Sequence, residues 1–468
     1  MPAPLVWSPP VGSVWRCEFG EVDVTTADVL SDEKNDDVGL SPTPWHPLTR
    51  IAFRFCVAYF GLFCLTFAQV TFVYTGVLGR RFPDRAVLWQ MVQLDPVTRW
   101  VGRAVFGVDA ALNPDSGSGD QASIWVLIFT LLVVAVAATV VWSIVDRRRT
   151  SYPRLMAWFL VFLRLCLGGQ MLFYGFAKVI PTQMPAPPLP ALLQPFGDLS
   201  PMAVLWLQVG SSHPYEIALG TIEVVAGLLL FLPRTATLGA VLSLASMAQV
   251  FLLNMTYDVP VKLLSFHLLL ISAVLVAPQA RRLANVLVLE RPAEPATQPA
   301  LFSTDRRNRI AAAVQVALGV WVTVGCLVLN VQVWNEVGGG SPKPEFYGIW
   351  EVTDFTVDGS ALPPLTTDET RWQRLVFDTP GAVTYQRMDG ELVDVVAAAG
   401  PNTLTLTSGT GATPMATFTV DRPAPDRLHL DGRLDGRPVT MSLRRQPLDD
   451  FLLRNRGFHW VQEQPFFK

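Results

Sequence analysis

The sequence predicts an α-helical membrane bundle of seven spans, followed by a C-terminal antiparallel β barrel or sandwich. Three observations predict it. Half of the 468 residues are hydrophobic and only 16% are charged, well below the ~25% charged fraction of ordinary soluble domains. Seven apolar runs read as bilayer spans, each needing ~20 residues. After Trp334 hydropathy falls, and short alternating runs separated by Asp-Gly turns take over, as in antiparallel β domains.

Residues 1–48 are rich in Pro, Asp, Ser and Thr, with an acidic run from Ser31 to Asp37, and are expected to form a disordered tail without a cleavable leader. Residues 49–150 carry two spans, Ile51 to Leu78 and Gln121 to Val145, around a long loop, Gly79 to Asp120, with an amphipathic piece at Ala86 to Val105. Arg147, Arg148 and Arg149 close the second span and pin that end to the cytoplasm, because positive charge is retained inside. Residues 151–288 supply four spans: Leu155 to Lys178, Tyr215 to Leu232, Thr237 to Leu253 and Val261 to Val276. A Pro-rich connection, Pro181 to Pro201, leads into a short interfacial or re-entrant piece, Met202 to Val209. A cytoplasmic linker at 289–309 precedes the seventh span at 310–334. Every arginine cluster then falls on one side, so the N-terminus is cytoplasmic and the β domain, 335–468, extracytoplasmic.

In the β domain, strands are expected over Gly348 to Val357, Trp372 to Phe377, Ala382 to Gln386, Thr403 to Thr407, Ala416 to Val420, Arg427 to Leu430 and Val439 to Leu443. Asp358-Gly359, Asp389-Gly390, Asp431-Gly432 and Asp435-Gly436 mark turns. The five cysteines form neither a C-x-x-C nor a Cys/His pair at metal spacing, so no metal is expected. A net charge of -3 without a basic aromatic stripe gives no reason to expect a nucleic-acid partner.

The stretch Asn254 to His267 concentrates ionisable groups between two apolar runs, and intramembrane charge is a functional-site hypothesis by default. At ~1.5 Å per helical residue, Gln170, Glu223 and His267 fall at one depth below the outer ends of their spans, and Lys178, Asn254, Tyr257, Asp258 and Lys262 form a layer above. These heights predict an outer-leaflet polar cavity, with Glu223 and His267 as catalytic proton handlers. Lys178 and Lys262 would grip a polar group, with Asp258, Tyr257, Asn254 and Gln170 as further ligand-binding residues. Blander readings stand beside these: span-end lysines snorkel to the interface, Asp258 shapes a turn, and His267 bonds a carbonyl across the bundle. Arg164 lies deeper and ties helices together or meets inner-leaflet lipid.

Residues from about Arg164 to Leu283 resemble the DoxX/DoxD family of small four-helix membrane proteins. The resemblance rests on Arg164, Gly168 and Gly169, then Tyr174-Gly175, Lys178, Glu223, Gly227, Pro233-Arg234-Thr235, Gly239, Asp258 and Lys262. More loosely, the same stretch is similar to the membrane part of vitamin K-dependent carboxylases. The resemblance implies a multi-pass bacterial cell-membrane protein, with quinone as a possible cofactor in redox-linked work. This chain departs from the small members by two spans in front, one behind, and the β domain. Gly348-Ile349-Trp350 is similar to the G-x-W of lipocalins and fatty-acid-binding proteins. The sequence therefore leads to a cavity binding a quinone or other amphiphile, with the lipid bilayer as partner. A transporter or lipid-handling protein, and a scaffold presenting the β domain to an unnamed protein partner, remain open.

Overall fold

The computed structural model describes residues 44–293, 300–400, 402–409 and 413–467. The acidic run at Ser31 to Asp37, Cys17 and most of the expected tail lie outside them. Among the described residues, seven helices are long and apolar enough to cross a membrane, and an antiparallel β barrel follows the last. The chain is a membrane-embedded helical bundle carrying a barrel.

Helix α1 (Pro47–Thr66) begins with Pro in its first turn and a His46 ring nitrogen accepting from Leu48 N–H. The apolar run to Leu78 is not one helix. The chain breaks at Phe67, forms a short α2 (Ala68–Phe72), and continues as 3-10 turns over Val73–Arg81. Gly76 has φ 55°, and a Cβ there would meet the Trp321 ring at 2.5 Å. Only glycine combines that φ with that approach, so the segment folds against α11 (Asp305–Glu336) rather than extending the span.

The amphipathic piece forms α3 (Trp89–Val101), and α4 (Ala122–Val145) is the second span. Between them, Asp120 accepts the main-chain N–H of Lys262 and Leu263 at 2.8 and 3.0 Å. A carboxylate there satisfies orphan donors and complements the helix dipole. The loop is thereby fastened to the start of α9 (Lys262–Val276).

The core helices are α5 (Pro153–Val179), α7 (His213–Phe231), α8 (Ala236–Thr256) and α9, with the short α6 (Pro201–Gly210) before α7. The sixth span runs on through a 3-10 turn into α10 (Ala280–Leu287). Helices α5 and α7 approach closely because small residues face each other. A Cβ on Gly220 would lie 2.6 Å from both Gly175 O and Lys178 Cβ, and one on Gly175 2.8 Å from Val224 N. Without a hydrophobic drive inside lipid, such backbone proximity is what holds membrane helices together.

The β domain comprises β1 (Gly348–Val357), β2 (Ser360–Ala361), β3 (Trp372–Phe377), β4 (Ala382–Arg387), β5 (Leu392–Gly400), β6 (Thr403–Thr407), β7 (Pro414–Ala424), β8 (Arg427–Leu434) and β9 (Arg437–Gln446). Each strand from β3 to β9 pairs with the next, β1 pairs with β3, and β1 also pairs with β9. The eight longer strands therefore close into an up-and-down barrel, and the alternative of a sandwich is excluded. Inward residues fill it, among them Trp350, Phe355, Leu375, Phe418 and Met441. Trp350 Nε1 donates to Phe346 O at 2.8 Å. A short helix, α12 (Leu452–Asn455), follows the barrel.

Two strand-level expectations are corrected. Strand β5 is absent from the sequence pattern because its second half, Ala397 to Gly400, is small and poor in β-branched residues; pairing on both sides supplies what propensity lacks. Asp431-Gly432 is not a turn but lies within β8, with Gly432 between Phe418 and Val439. There Thr417 O crowds the position a Cβ would occupy. By contrast Asp358-Gly359 and Asp435-Gly436 each have two successive positive φ values, the requirement of a tight primed hairpin turn.

Candidate functional site

A cavity of about 270 Å³ lies among α5, α7, α8 and α9 under α6. Its walls are mostly aliphatic, with Leu219 and Ile222 from α7, Leu242 and Val250 from α8, and Leu264 and Leu268 from α9. Leu205, Trp206 and Val209 of α6, with Gln183 and Met184, form the roof. Trp206 Nε1 donates to Gln183 O at 3.0 Å, tying the roof together.

Into this apolar wall the fold sets one ion pair. Lys178 Nζ and Glu223 Oε2 are 2.7 Å apart, and the residues are 6% and 2% exposed. Heights counted from the span ends put them in different layers, because that count sets Tyr215 level with Lys178. Gly220 is the residue actually level with it, so Glu223 lies only about one turn deeper, within reach of a lysine side chain. Lys178 Nζ also stands 5.9 Å from the Tyr174 ring centroid, and Tyr174, which lines the cavity, accepts from Gln69 Nε2 at 2.5 Å. Asn254, Gln249, Ser246 and Ser265 complete the polar lining, with Asn254 Nδ2 donating to Ser265 Oγ at 3.0 Å.

Other sequence-selected residues are placed elsewhere. His267 turns toward α1: its Nδ1 is 2.6 Å from Leu263 O, its Nε2 2.7 Å from Tyr59 Oη, and its ring stacks on Phe63 at 4.2 Å. A carbonyl can only accept, so Nδ1 carries a proton, and Nε2 is the ring atom left to pair with Tyr59 Oη. His267 and Glu223 do not share the cavity. Gln170 is buried and donates to Gln69 O at 3.0 Å, away from the cavity lining. Lys262 pairs with Asp258 at 2.8 Å and lies 3.7 Å from Asp120. Both Lys262 and Asp258 stand outside the lining, with Asp258 at φ 52° in the turn before α9. Tyr257 packs against the cluster formed by Met184, Leu205 and Val209 of the roof together with Val259. Arg164 donates to Leu230 O at 3.0 Å and to Gln315 Oε1, joining α5, α7 and α11.

Glu216 escaped the sequence reading. It is fully buried, and Oε1 accepts from Met184 N–H at 3.1 Å. Oε2 has no hydrogen-bond partner among the described residues and lies 3.9 Å from His213 Nδ1. The available signal was periodic: Glu216, Gly220, Glu223 and Gly227 occur at i, i+4, i+7 and i+11, which is one helix face. Trp206 and Gln183 carried no comparable signal, since nothing in a Pro-rich connection says which helix it will cover.

The arrangement offers an ammonium and a carboxylate to a ligand's polar end and hydrocarbon to the rest. No family model and no solved structure matches the chain. A protein of Bacillus subtilis (strain 168) described as "Uncharacterized protein YwoB" is 30% identical over 132 residues, which cover 26% of this chain and 78% of that protein. Over that quarter of its length, the chain belongs to the same family as YwoB.

Proposed function

We propose that the cavity binds one amphiphile, such as a quinone or a lipid-like molecule, with its polar end at Lys178 and Glu223 and its apolar body against α8 and α9. The observation that carries this reading is a buried ion pair in the wall of an otherwise aliphatic cavity. A closed ion pair in a dry bundle gains little over a well-packed apolar pair, so stability alone does not explain it. Lys178 would donate to a ligand oxygen and Glu223 would accept a proton from a ligand hydroxyl. Asn254 and Gln249 would set the orientation. The resemblance to the DoxX class, which rests partly on these two residues, supports a redox-linked role for a quinone.

Orientation belongs to the same reading. Arg147 to Arg149, Arg281, Arg282, Arg306, Arg307 and Arg309 gather at the α5 and α11 start, so that end faces the cytoplasm of a bacterial cell membrane. The cavity and barrel then face outward. The barrel's packed interior weighs against a role as cargo receiver in transport.

The test is to purify the full chain in mild detergent and extract it with organic solvent, measuring quinone by absorbance and lipids by mass spectrometry. A stoichiometric amphiphile is expected with the wild type and lost in Lys178→Met/Glu223→Leu, which keeps the packing. Retention by the double variant, or nothing bound to the wild type, would refute the reading. A cysteine replacing Asp389 should react with an impermeant thiol reagent on intact cells; protection there would reverse the orientation.

A further inference from the structure

A second, separate hollow lies at the other end of the bundle. Helices α5 and α11 run parallel, paired by Arg164 with Gln315 and, just past the C-terminus of α5, by Thr182 Oγ1 donating to Asn330 Oδ1 of α11 at 2.8 Å. Between their first halves is a groove of about 430 Å³ whose walls include Val161 and Leu165 on α5 and Ile310, Val314 and Leu318 on α11. The α11 residues recur at i, i+4 and i+8, so they form one stripe along the groove. The floor's polar group, Gln315, is already engaged by Arg164, which leaves the channel apolar.

The groove mouth has a different character. Arg307 lines it, together with the edge-to-face pair of Trp158 and Phe302 at 5.6 Å. Arg306 and Arg309 flank Arg307 on α11, and the parallel register sets Arg154 level with that first turn. None of these four guanidinium groups has an ion-pair or hydrogen-bond partner among the described residues. From Arg307 to Leu318 the groove runs ~16 Å along the helix, close to one leaflet's half of a ~30 Å hydrocarbon core.

We propose that this groove is a binding site for an anionic phospholipid, with one acyl chain between α5 and α11 and its phosphate held by Arg307 and the neighbouring arginines. Depth and apolar walls select a single acyl chain. The free guanidinium groups select negative charge, for which their planar donor fork is suited. Basic pockets at helix ends capture acidic headgroups in this way. The site is independent of the Lys178–Glu223 cavity.

The test uses the full chain, delipidated in mild detergent and titrated with phosphatidylglycerol or phosphatidylcholine of identical chains in native mass spectrometry. One phosphatidylglycerol should be retained per chain, preferred about tenfold or more given the worth of each arginine near a phosphate. Val314→Trp, which fills the channel from a half-exposed position, should remove most of that retention. Arg306→Gln/Arg307→Gln/Arg309→Gln, at the surface, should bring the preference close to unity. Far-UV circular dichroism and elution volume establish that each variant is folded, and the arginine variant decides the matter if the tryptophan variant is not. Equal retention of both lipids overturns the proposal, as does retention indifferent to the folded Val314→Trp. Displacement by inorganic phosphate at similar concentration would show a bare anion site and overturn it too.

Discussion

The barrel and the cavity end of the bundle handle buried polar groups in opposite ways. In the barrel, Trp350 and Arg371 are large buried polar groups that turn to main chain. Trp350 donates to Phe346 O, and Arg371, 3% exposed, donates to Leu362 O and Val352 O at 3.1 and 3.2 Å. Bulky side chains take up the rest of the interior. In the bundle, Lys178 and Glu223 answer each other across two helices and face open volume. A filled interior with main-chain partners serves to hold shape. Charge placed beside an unfilled cavity can change partners when a ligand enters, and for that reason the proposed ligand is assigned to the bundle and not to the filled barrel.

The two regions also touch. Leu189, from the connection that leads to the cavity roof, is buried against Ile349 and Val376 of the barrel. Its N–H donates to Asp378 Oδ2 at 3.1 Å. The barrel thus holds the strap whose earlier residues, Gln183 and Met184, cover the cavity.

Four variants would break or sharpen the contrast. The largest effect is expected from Glu223→Ala, which strands a buried ammonium and should cost ~3–5 kcal/mol, whereas Lys178→Met/Glu223→Leu should recover most of that. Thermal unfolding in detergent reads both, and equal destabilisation by the single and double variants would mean the pair is structural. Next, Trp350→Ala should cost ~3–5 kcal/mol by opening a void in a packed interior, yet leave the amphiphile bound by the bundle at its wild-type amount. Loss of bound amphiphile would show that the barrel shapes the cavity. The smallest effect is expected from Tyr59→Phe, which removes the Tyr59–His267 bond and should cost about 1 kcal/mol without altering ligand retention. If retention fell with Tyr59→Phe, His267 would have to be counted with the cavity after all.

Much of the architecture was legible beforehand because hydropathy runs and alternation report burial directly. The spans differ from their expected limits mainly at ends, where capping decides. The first span was overread because Phe72 to Leu78 is as apolar as a helix interior. Its 3-10 path follows from Gly76 against Trp321 and Gly325, a contact 245 or more residues away along the chain. The candidate site was legible only in part. Lys178, Glu223 and Asn254 stand at the cavity, but His267, Gln170, Lys262 and Asp258 point to other neighbours. Depth along a helix can be counted from the sequence, whereas rotation about its axis depends on which helices pack beside it. His267 and Leu268 are adjacent residues with opposite assignments, one against α1 and the other in the cavity wall.

By itself the sequence determined that this chain crosses a membrane with seven apolar helices and carries a β domain, because a bilayer and a pleated sheet each impose a periodicity on any chain. Only the tertiary structure decided which ionisable groups meet. Glycine-to-glycine contact between α5 and α7 sets Lys178 beside Gly220 and so brings its ammonium to Glu223. That approach is fixed by packing between helices, a property that no single helix encodes.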